Sequence, residues 1–402
     1  MFWGNTKIDW GVVHRFCDKL KDYWHFRMKF NIRTSNIKYL FQRFVEANEK
    51  SYHANRFNFL YELHRARELQ PTDPRDHIFA FLGHYSLRSK YHPNRELAVF
   101  EADYNKSLPQ VYIDFAKRAL RGGQGDSALI ALAVVQHGSL PSHRATENNT
   151  GPERSLSIQS KLPSWVADWT IYKGFILAEP ISPHKAHGTS RPKMEIDDDK
   201  LILRIHGVQV DTLEDCSRVL RDREFHDTRE HRGTESSVEY LWRKICQKKD
   251  FNLEDKYPNG HTAFFAFSQT LSNGCVQISG ERVPSIMILT DSDGAIAPGL
   301  LELGEKADRK GGKEEWSRSV NAASKGRRFA RTKKGLYVLG PAAMERGDVV
   351  CVLFGGKVPF CLRRMGSRHM LVGECYAHGL MKGEAMTMMA KDELVEKVFE
   401  LV

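Results

Sequence analysis

Residues 335–374 read GLYVLGPAAMERGDVVCVLFGGKVPFCLRRMGSRHMLVGE, and their punctuation decides the fold class. Leu336–Leu339, Val349–Phe354, Val358–Leu362 and Met370–Val372 are short runs rich in β-branched and aromatic residues. Gly335, Gly340-Pro341, Gly347-Asp348, Gly355-Gly356 and Gly366-Ser367 break them about every ten residues, as turns do in a compact antiparallel sheet or small barrel. With Phe329 in front, this β-rich module is expected to span about 326–385, and Met386–Val402 to return to helix. Leu201–Val210 has strand composition with partial alternation, while Tyr240–Cys246 and Thr262–Leu271 read as helices. Residues 302–328 are charged and Gly-rich and read as a mobile loop.

Upstream the period changes to that of helices. Tyr39, Leu40, Phe41 and Phe44, then Phe57, Leu60, Tyr61 and His64, recur at spacings of three and four. At Asp73-Pro74-Arg75-Asp76 a helix start is written: Asp73 can cap backbone N–H groups, Pro74 gives up a donor that lacks a partner there, and Asp76 favours the positive end of the helix dipole. Gly83 is expected to stop that helix. Ser107-Leu108-Pro109-Gln110 has capping-box spacing, and Val111, Phe115 and Ala119 follow at intervals of four until Gly122-Gly123-Gln124-Gly125. The fold class expected is therefore α+β. Residues 1–137 form a helical region, 138–200 an irregular connector carrying LPSWVADW, and 201–402 an α+β region holding the β-rich module.

At 402 residues the chain exceeds one ordinary core. Hydrophobic residues make up 41% and charged residues 27%, the balance of a folded chain and not of a disordered one. A membrane span needs about 18 consecutive apolar residues; the longest clean run, Ala128–Val135, has eight. The N-terminal segment lacks the apolar core of a secretory signal. Seven cysteines without a C-x-x-C argue for free thiols, so a cytoplasmic or nuclear protein is expected. The net charge of +10 is partly local, because Lys325, Arg327, Arg328, Arg331, Lys333 and Lys334 fall within ten residues.

Each motif that invites chemistry has a plainer explanation. Asp73 and Asp76 suggest an acid pair, but a capped helix start accounts for every residue type at its position. Gly122–Gly125 and Gly355-Gly356-Lys357 suggest phosphate cradles, yet neither runs into G-K-[ST]. Cys361, His369, Cys375 and His378 suggest zinc, but they lack the paired spacing of a structural site, so buried strand cysteines and a turn histidine are expected instead. Neither G-x-S-x-G nor H-E-x-x-H occurs, and no local signature selects one Cys–His pair among seven cysteines and seventeen histidines. Trp165 and Trp169 are expected to anchor packing rather than stack a ligand. The 325–334 cluster is expected to be a solvated loop; an anionic partner there is the alternative.

Three stretches together resemble the fungal heterokaryon-incompatibility (HET) protein family. Thr72–Gly83 (TDPRDHIFAFLG) is similar to the family's T-D-P-R-D-K-I-Y-A-L-L-G, and Asp103-Tyr104, Ser107, Val111-Tyr112 and Phe115-Ala116 to the D-Y-x-K-S-x-x-x-V-Y-x-x-F-A that follows it. Leu162–Trp169 (LPSWVADW), with Trp165, Asp168 and Trp169, resembles L-P-S-W-V-P-D-W. The third stretch holds Gly326–Phe329, Gly335, Gly340-Pro341, Gly347-Asp348, Gly355-Gly356, Pro359-Phe360, Gly373-Glu374, His378-Gly379 and Gly383-Glu384. Their order and separations cover most of residues 60–385. The family's upstream segments Y-x-A-L-S-Y-x-W-G, W-I-D-x-x-C-I-N-Q and W-x-L-Q-E do not occur, and Phe2-Trp3-Gly4 with Ile8-Asp9-Trp10 looks like the family's bridge C-G-x-x-x-I-x-W. The resemblance thus implies a region downstream of the TIR-like HET domain, in a truncated paralogue or an incomplete gene model. It implies a non-enzymatic scaffold or sensor with an unidentified protein partner and no cofactor, in a protein of non-self recognition and programmed cell death. A binder of nucleic acid or acidic surfaces is the alternative, and a hydrolase or NAD-cleaving enzyme ranks last.

Overall fold

Helices form in the first part of the chain where caps and apolar stripes coincide. The Asn58 side chain accepts the Tyr61 N–H at 3.0 Å and starts the helix Phe59–Ala66. Ser107 and Gln110 make the expected capping box, with the Ser107 N–H donating to Gln110 Oε1 at 2.9 Å. The helix Leu108–Arg121 buries Val111, Tyr112, Phe115, Ala116, Ala119 and Leu120. It ends at Gly122, where any Cβ would stand 1.9 Å from Asn94 Oδ1. Phe59, Phe100 and Trp169 pack around the Phe115 ring at centroid distances of 6.3, 5.4 and 5.7 Å, so the centre of this region is aromatic. Ala128–Val135 is buried throughout, as its composition requires.

A computed structural model describes residues 2–3, 5–20, 22–30, 32, 52–88, 94–142, 162–222, 224–225, 237–248, 255–278, 281–284 and 312–402. The stripe Tyr39–Phe44, most of the 138–160 stretch and residues 302–311 lie outside the described residues. The chain is α+β, with helices in the first part and an antiparallel-rich sheet in the last.

Two strands begin the chain, β1 (Phe2–Trp3) and β2 (Thr6–Lys7), in a hairpin of their own. β3 (Met194–Asp197) lies antiparallel on β4 (Ile202–Cys216), the longest strand at 15 residues. β5 (Cys275–Ile278) and β6 (Glu281–Pro284) form a second separate hairpin. The glycine-punctuated region supplies β7 (Arg327–Thr332), β8 (Tyr337–Pro341), β9 (Val349–Leu353), β10 (Phe360–Met365), β11 (Arg368–Glu374) and β12 (Tyr376–Ala377). The helix Glu384–Ala390 and β13 (Glu396–Leu401) follow.

The pairings close on themselves. β4 pairs with β13, β13 with β11, β11 with β10, β10 with β9, and β9 again with β4, which makes a five-stranded barrel. The β11–β13 contact is parallel and the others are antiparallel. Register shifts at Gln209/Asp211 and Leu213/Asp215 bend β4, and its far end leaves the barrel to pair with β7, which continues through β8 to β12. Gly207 allows the closure, since a Cβ there would lie 2.5 Å from the Val352 carbonyl oxygen.

Three assignments differ from the sequence reading. Residues 312–324, read as mobile loop, form a helix in which Trp316, Ser319, Val320, Ala323 and Ser324 are buried at helical spacing. Three of those five residues are serine or alanine, which hides the stripe from a hydrophobicity scan. After the sheet a helix does follow, but it stops at Ala390, and Glu396–Leu401 is the strand that closes the barrel. The Asp76–Phe79 helix is also shorter than expected, the chain turning from Ala80 well before Gly83.

Candidate functional site

The segments singled out in the sequence meet one another in the fold. Asp73 Oδ1 accepts the Arg75 backbone N–H at 2.9 Å, a turn bond ahead of the helix; the expected cap at Asp73 is displaced, since the helix Asp76–Phe79 starts from Arg75 without a side-chain cap bond. The same carboxylate takes Arg75 Nε and Nη2 at 3.0 and 2.7 Å. Arg75 Nη1 then donates to the Tyr104 and Lys106 carbonyls, Tyr104 donates to Asp76 at 2.6 Å, and Tyr112 donates to the Pro74 carbonyl. The hydrogen bonds from Arg75 hold the Asp73 carboxyl below its usual range. TDPRD and the DYNKS stretch are therefore two halves of one surface clasp.

LPSWVADW is fastened to the barrel. Ser164 donates its N–H to the Val402 carbonyl, and its hydroxyl accepts the Leu371 N–H at 2.9 Å. Trp165 and Trp169 are fully buried; Trp165 Nε1 donates to the Leu201 carbonyl, and Trp169 packs on Phe115. Asp168 caps a turn by accepting the Thr170 N–H and hydroxyl. Glu374, at the end of β11, accepts the Leu177 and Ala178 N–H groups and Arg327 Nη2 at 2.7 Å. Burial pushes its carboxyl upward, and Arg327 with the two amides pulls it back. Asp348 binds Arg363 through two parallel bonds of 2.8 and 2.9 Å, while Arg363 also reaches the Pro141 and Ala343 carbonyls. Gly347 and Gly379 adopt positive φ at turns, Gly373 has φ +140° with Pro341 beside it, and the Pro359 carbonyl accepts the Cys375 N–H.

The basic cluster, expected as a solvated loop, is strand in its middle: Arg327, Arg328 and Arg331 lie in β7, while Lys325, Lys333 and Lys334 flank it. Arg327 is buried against Glu374; Arg328 donates to the Ala342 and Ser217 carbonyls; Arg331 pairs with Glu214 and Asp215 at 2.8 and 2.9 Å. Lys325 pairs with Asp222, and Lys334 Nζ reaches the Val210 carbonyl. Lys325, Lys333 and Lys334 are the exposed members. Of the suggested zinc set, Cys361 and Cys375 are side-chain neighbours, while the two histidines stand elsewhere. Cys361 lies against Met344 at 3.8 Å, His369 packs on Phe399, and His378 Nε2 meets His261 Nδ1 at 2.9 Å. Burial, then the neighbouring His261, pulls His378 down to about 3.

Sequence reasoning did not find one feature. A groove of about 1080 Å³ runs between the Gly123–Asp126 turn and residues 185–196. Asp126, Lys185 and His187 line it, with Lys185 Nζ 3.4 Å and His187 Nε2 3.5 Å from the Asp126 carboxylate. The turn Gly355-Gly356-Lys357 backs it: His187 N–H donates to the Gly356 carbonyl and Ala186 N–H to that of Lys357. Lys357 is buried, donates to the Pro180 carbonyl, and is pulled down to about 8 by that burial. The Gly122–Gly125 stretch was the only local signal, and it points to this place without naming the side chains.

A barrel closed by strands far apart in sequence, with its motif charges turned inward, defines the C-terminal part. Residues 298–395 match the family model of the Het-6 beta-barrel domain, a domain found in fungal heterokaryon-incompatibility proteins. The resemblance read from the motifs is therefore borne out in the C-terminal region. Two of the five barrel strands, β4 and β13, lie outside the matched residues. No curated protein and no solved structure matches the chain.

Proposed function

We propose that this chain is a non-enzymatic scaffold or sensor portion of a fungal heterokaryon-incompatibility protein, acting in non-self recognition and programmed cell death through a protein partner. One observation carries the reading. The acidic and basic residues of the family-like motifs serve the architecture, Asp73 with Arg75, Glu374 with Arg327 and Asp348 with Arg363, instead of converging on a cleft. The Het-6 beta-barrel match supports the heterokaryon-incompatibility part of the reading. A hydrolase or NAD-cleaving role would use charged groups open to substrate, and two of these three pairs are fully buried. Incubation of the purified chain with NAD is expected to release no nicotinamide above the protein-free control; protein-dependent release would overturn the reading.

A further inference from the structure

We infer that Asp126 and His187 form a binding site for a divalent transition-metal ion of the zinc type, on the wall of the groove between the Gly123–Asp126 turn and residues 185–196. His187 is built as a ligand. Its ring is buried, and Nδ1 lies 3.0 Å from the Ser190 carbonyl oxygen. A carbonyl only accepts, so Nδ1 carries a proton and the position left for a metal to take is Nε2. Ligating histidines are fixed in this way, through a second-nitrogen bond to a carbonyl or carboxylate. The Ser190 hydroxyl returns a bond to the His187 carbonyl at 2.8 Å, which holds the loop in place. Among the described residues, Nε2 has no hydrogen-bond partner although it is buried.

The distance to Asp126 points the same way. At 3.5 Å, His187 Nε2 and Asp126 Oδ1 are too far apart for a charge-assisted hydrogen bond of about 2.7–2.9 Å. Two ligands held at about 2.1 Å by a tetrahedral ion stand about 3.4 Å apart. An imidazole with one carboxylate suits zinc, copper or nickel better than magnesium or calcium, which take oxygen donors. Among the described residues no group of three or more His, Cys, Asp and Glu could hold a metal, so water from the groove completes the shell. The site is an exchangeable one and not a closed structural centre. The nearby cation is Lys185, 3.4 Å from the other Asp126 oxygen, and its side chain is 60% exposed and able to swing away. A bound ion would tie the turn after the Leu108–Arg121 helix to the segment that the Gly356 carbonyl anchors on the barrel.

The test is calorimetric titration of the full chain with zinc chloride, for the parent and for Asp126→Asn, His187→Gln and Lys185→Met. The parent is expected to show a saturable site that weakens at least about tenfold in the first two variants. Lys185→Met removes a repelling charge and should tighten binding about two- to fivefold. Asp126 is an exposed carboxylate, so Asp126→Asn keeps the fold, and its melting curve checks this. If His187→Gln fails to fold, the other two variants decide. An unsaturable parent isotherm, or an Asp126→Asn isotherm equal to the parent's, overturns the proposal.

Discussion

Two aspartate–arginine pairs, one in each half of the molecule, have nearly the same geometry. Asp73 meets Arg75 Nε and Nη2 at 3.0 and 2.7 Å, and Asp348 meets Arg363 Nε and Nη2 at 2.8 and 2.9 Å. Their surroundings differ. The Asp73 and Arg75 side chains are 31% and 23% exposed, whereas Asp348 and Arg363 are at 0% and 1%. Water competes for the first pair and screens it. The second has given up its hydration and depends on its partners, so loss of either member takes the main counter-ion from a buried charge; without Asp348, Arg363 keeps Glu345 at 3.4 Å. The helical part is assembled from rings and caps, while the barrel fastens the connector with charge. Bond lengths alone do not rank the two pairs; desolvation does.

Asp348→Ala tests the buried side of that contrast and should have the largest effect, a loss of about 3–5 kcal/mol in denaturant unfolding. Replacing both partners, Asp348→Leu with Arg363→Met, should recover most of it; an equal loss in the double variant would break the argument. Acid is the next probe. Burial lowers His137 to about 4, and its imidazole sits against the Leu371 carbonyl of β11. The folded value lies below the unfolded one of about 6.5, so below that pH the unfolded chain takes up a proton that the fold refuses. Stability therefore falls as pH drops from 6.5 towards 4, by about 2 kcal/mol for this residue between pH 7 and pH 5. His137→Gln should flatten the pH dependence of the unfolding midpoint by that amount.

Asp73→Ala should cost less, a small drop in the denaturation midpoint, because its turn bond and ion pair with Arg75 are partly open to water. An unchanged midpoint together with lost partner binding would show that the clasp is a recognition surface and not a structural one. The smallest effect is expected from neutralising Lys325, Lys333 and Lys334 together. Arg327 is unsuitable for that test, because its removal would strand Glu374. Duplex DNA affinity at several salt concentrations should match the parent's; sub-micromolar parental binding, lost in the triple variant with a shallower salt slope, would favour the nucleic-acid alternative.

What could be read in the sequence was local. The capping box at Ser107 and the glycine turns of residues 335–373 each depend on a few neighbouring residues, and the structure uses them as expected, while Asp73 makes a turn bond ahead of the helix it was expected to cap. The basic cluster misled because charge was counted along the chain. Strand period two places Arg327 on the same inward face as Phe329, where Glu374 waits from β11. Glu396–Leu401 carries three charged residues among six and becomes a strand because β4 and β11 flank it. Asp126 follows the Gly122–Gly125 stretch read as a helix stop, and His187 lies in the 138–200 stretch read as an irregular connector. Only the packing of residues 185–196 beside the Gly122–Gly125 turn brings them together.

The strand order carries a consequence for synthesis on the ribosome. β4 emerges early and takes β13 as a barrel neighbour, with residues 217–395 made in between. Until β13 emerges, residues 203–208 of β4 and the β11 edge at His369 lack the neighbour that will cover them. An uncovered strand edge is a template for another chain, and closing so long a loop is slow. Nascent chains stalled before Glu396 should therefore be cut readily by protease within β4, and chains in which Glu396–Leu401 has emerged should resist. The last strand acts as a latch on a structure that has waited for it since residue 216.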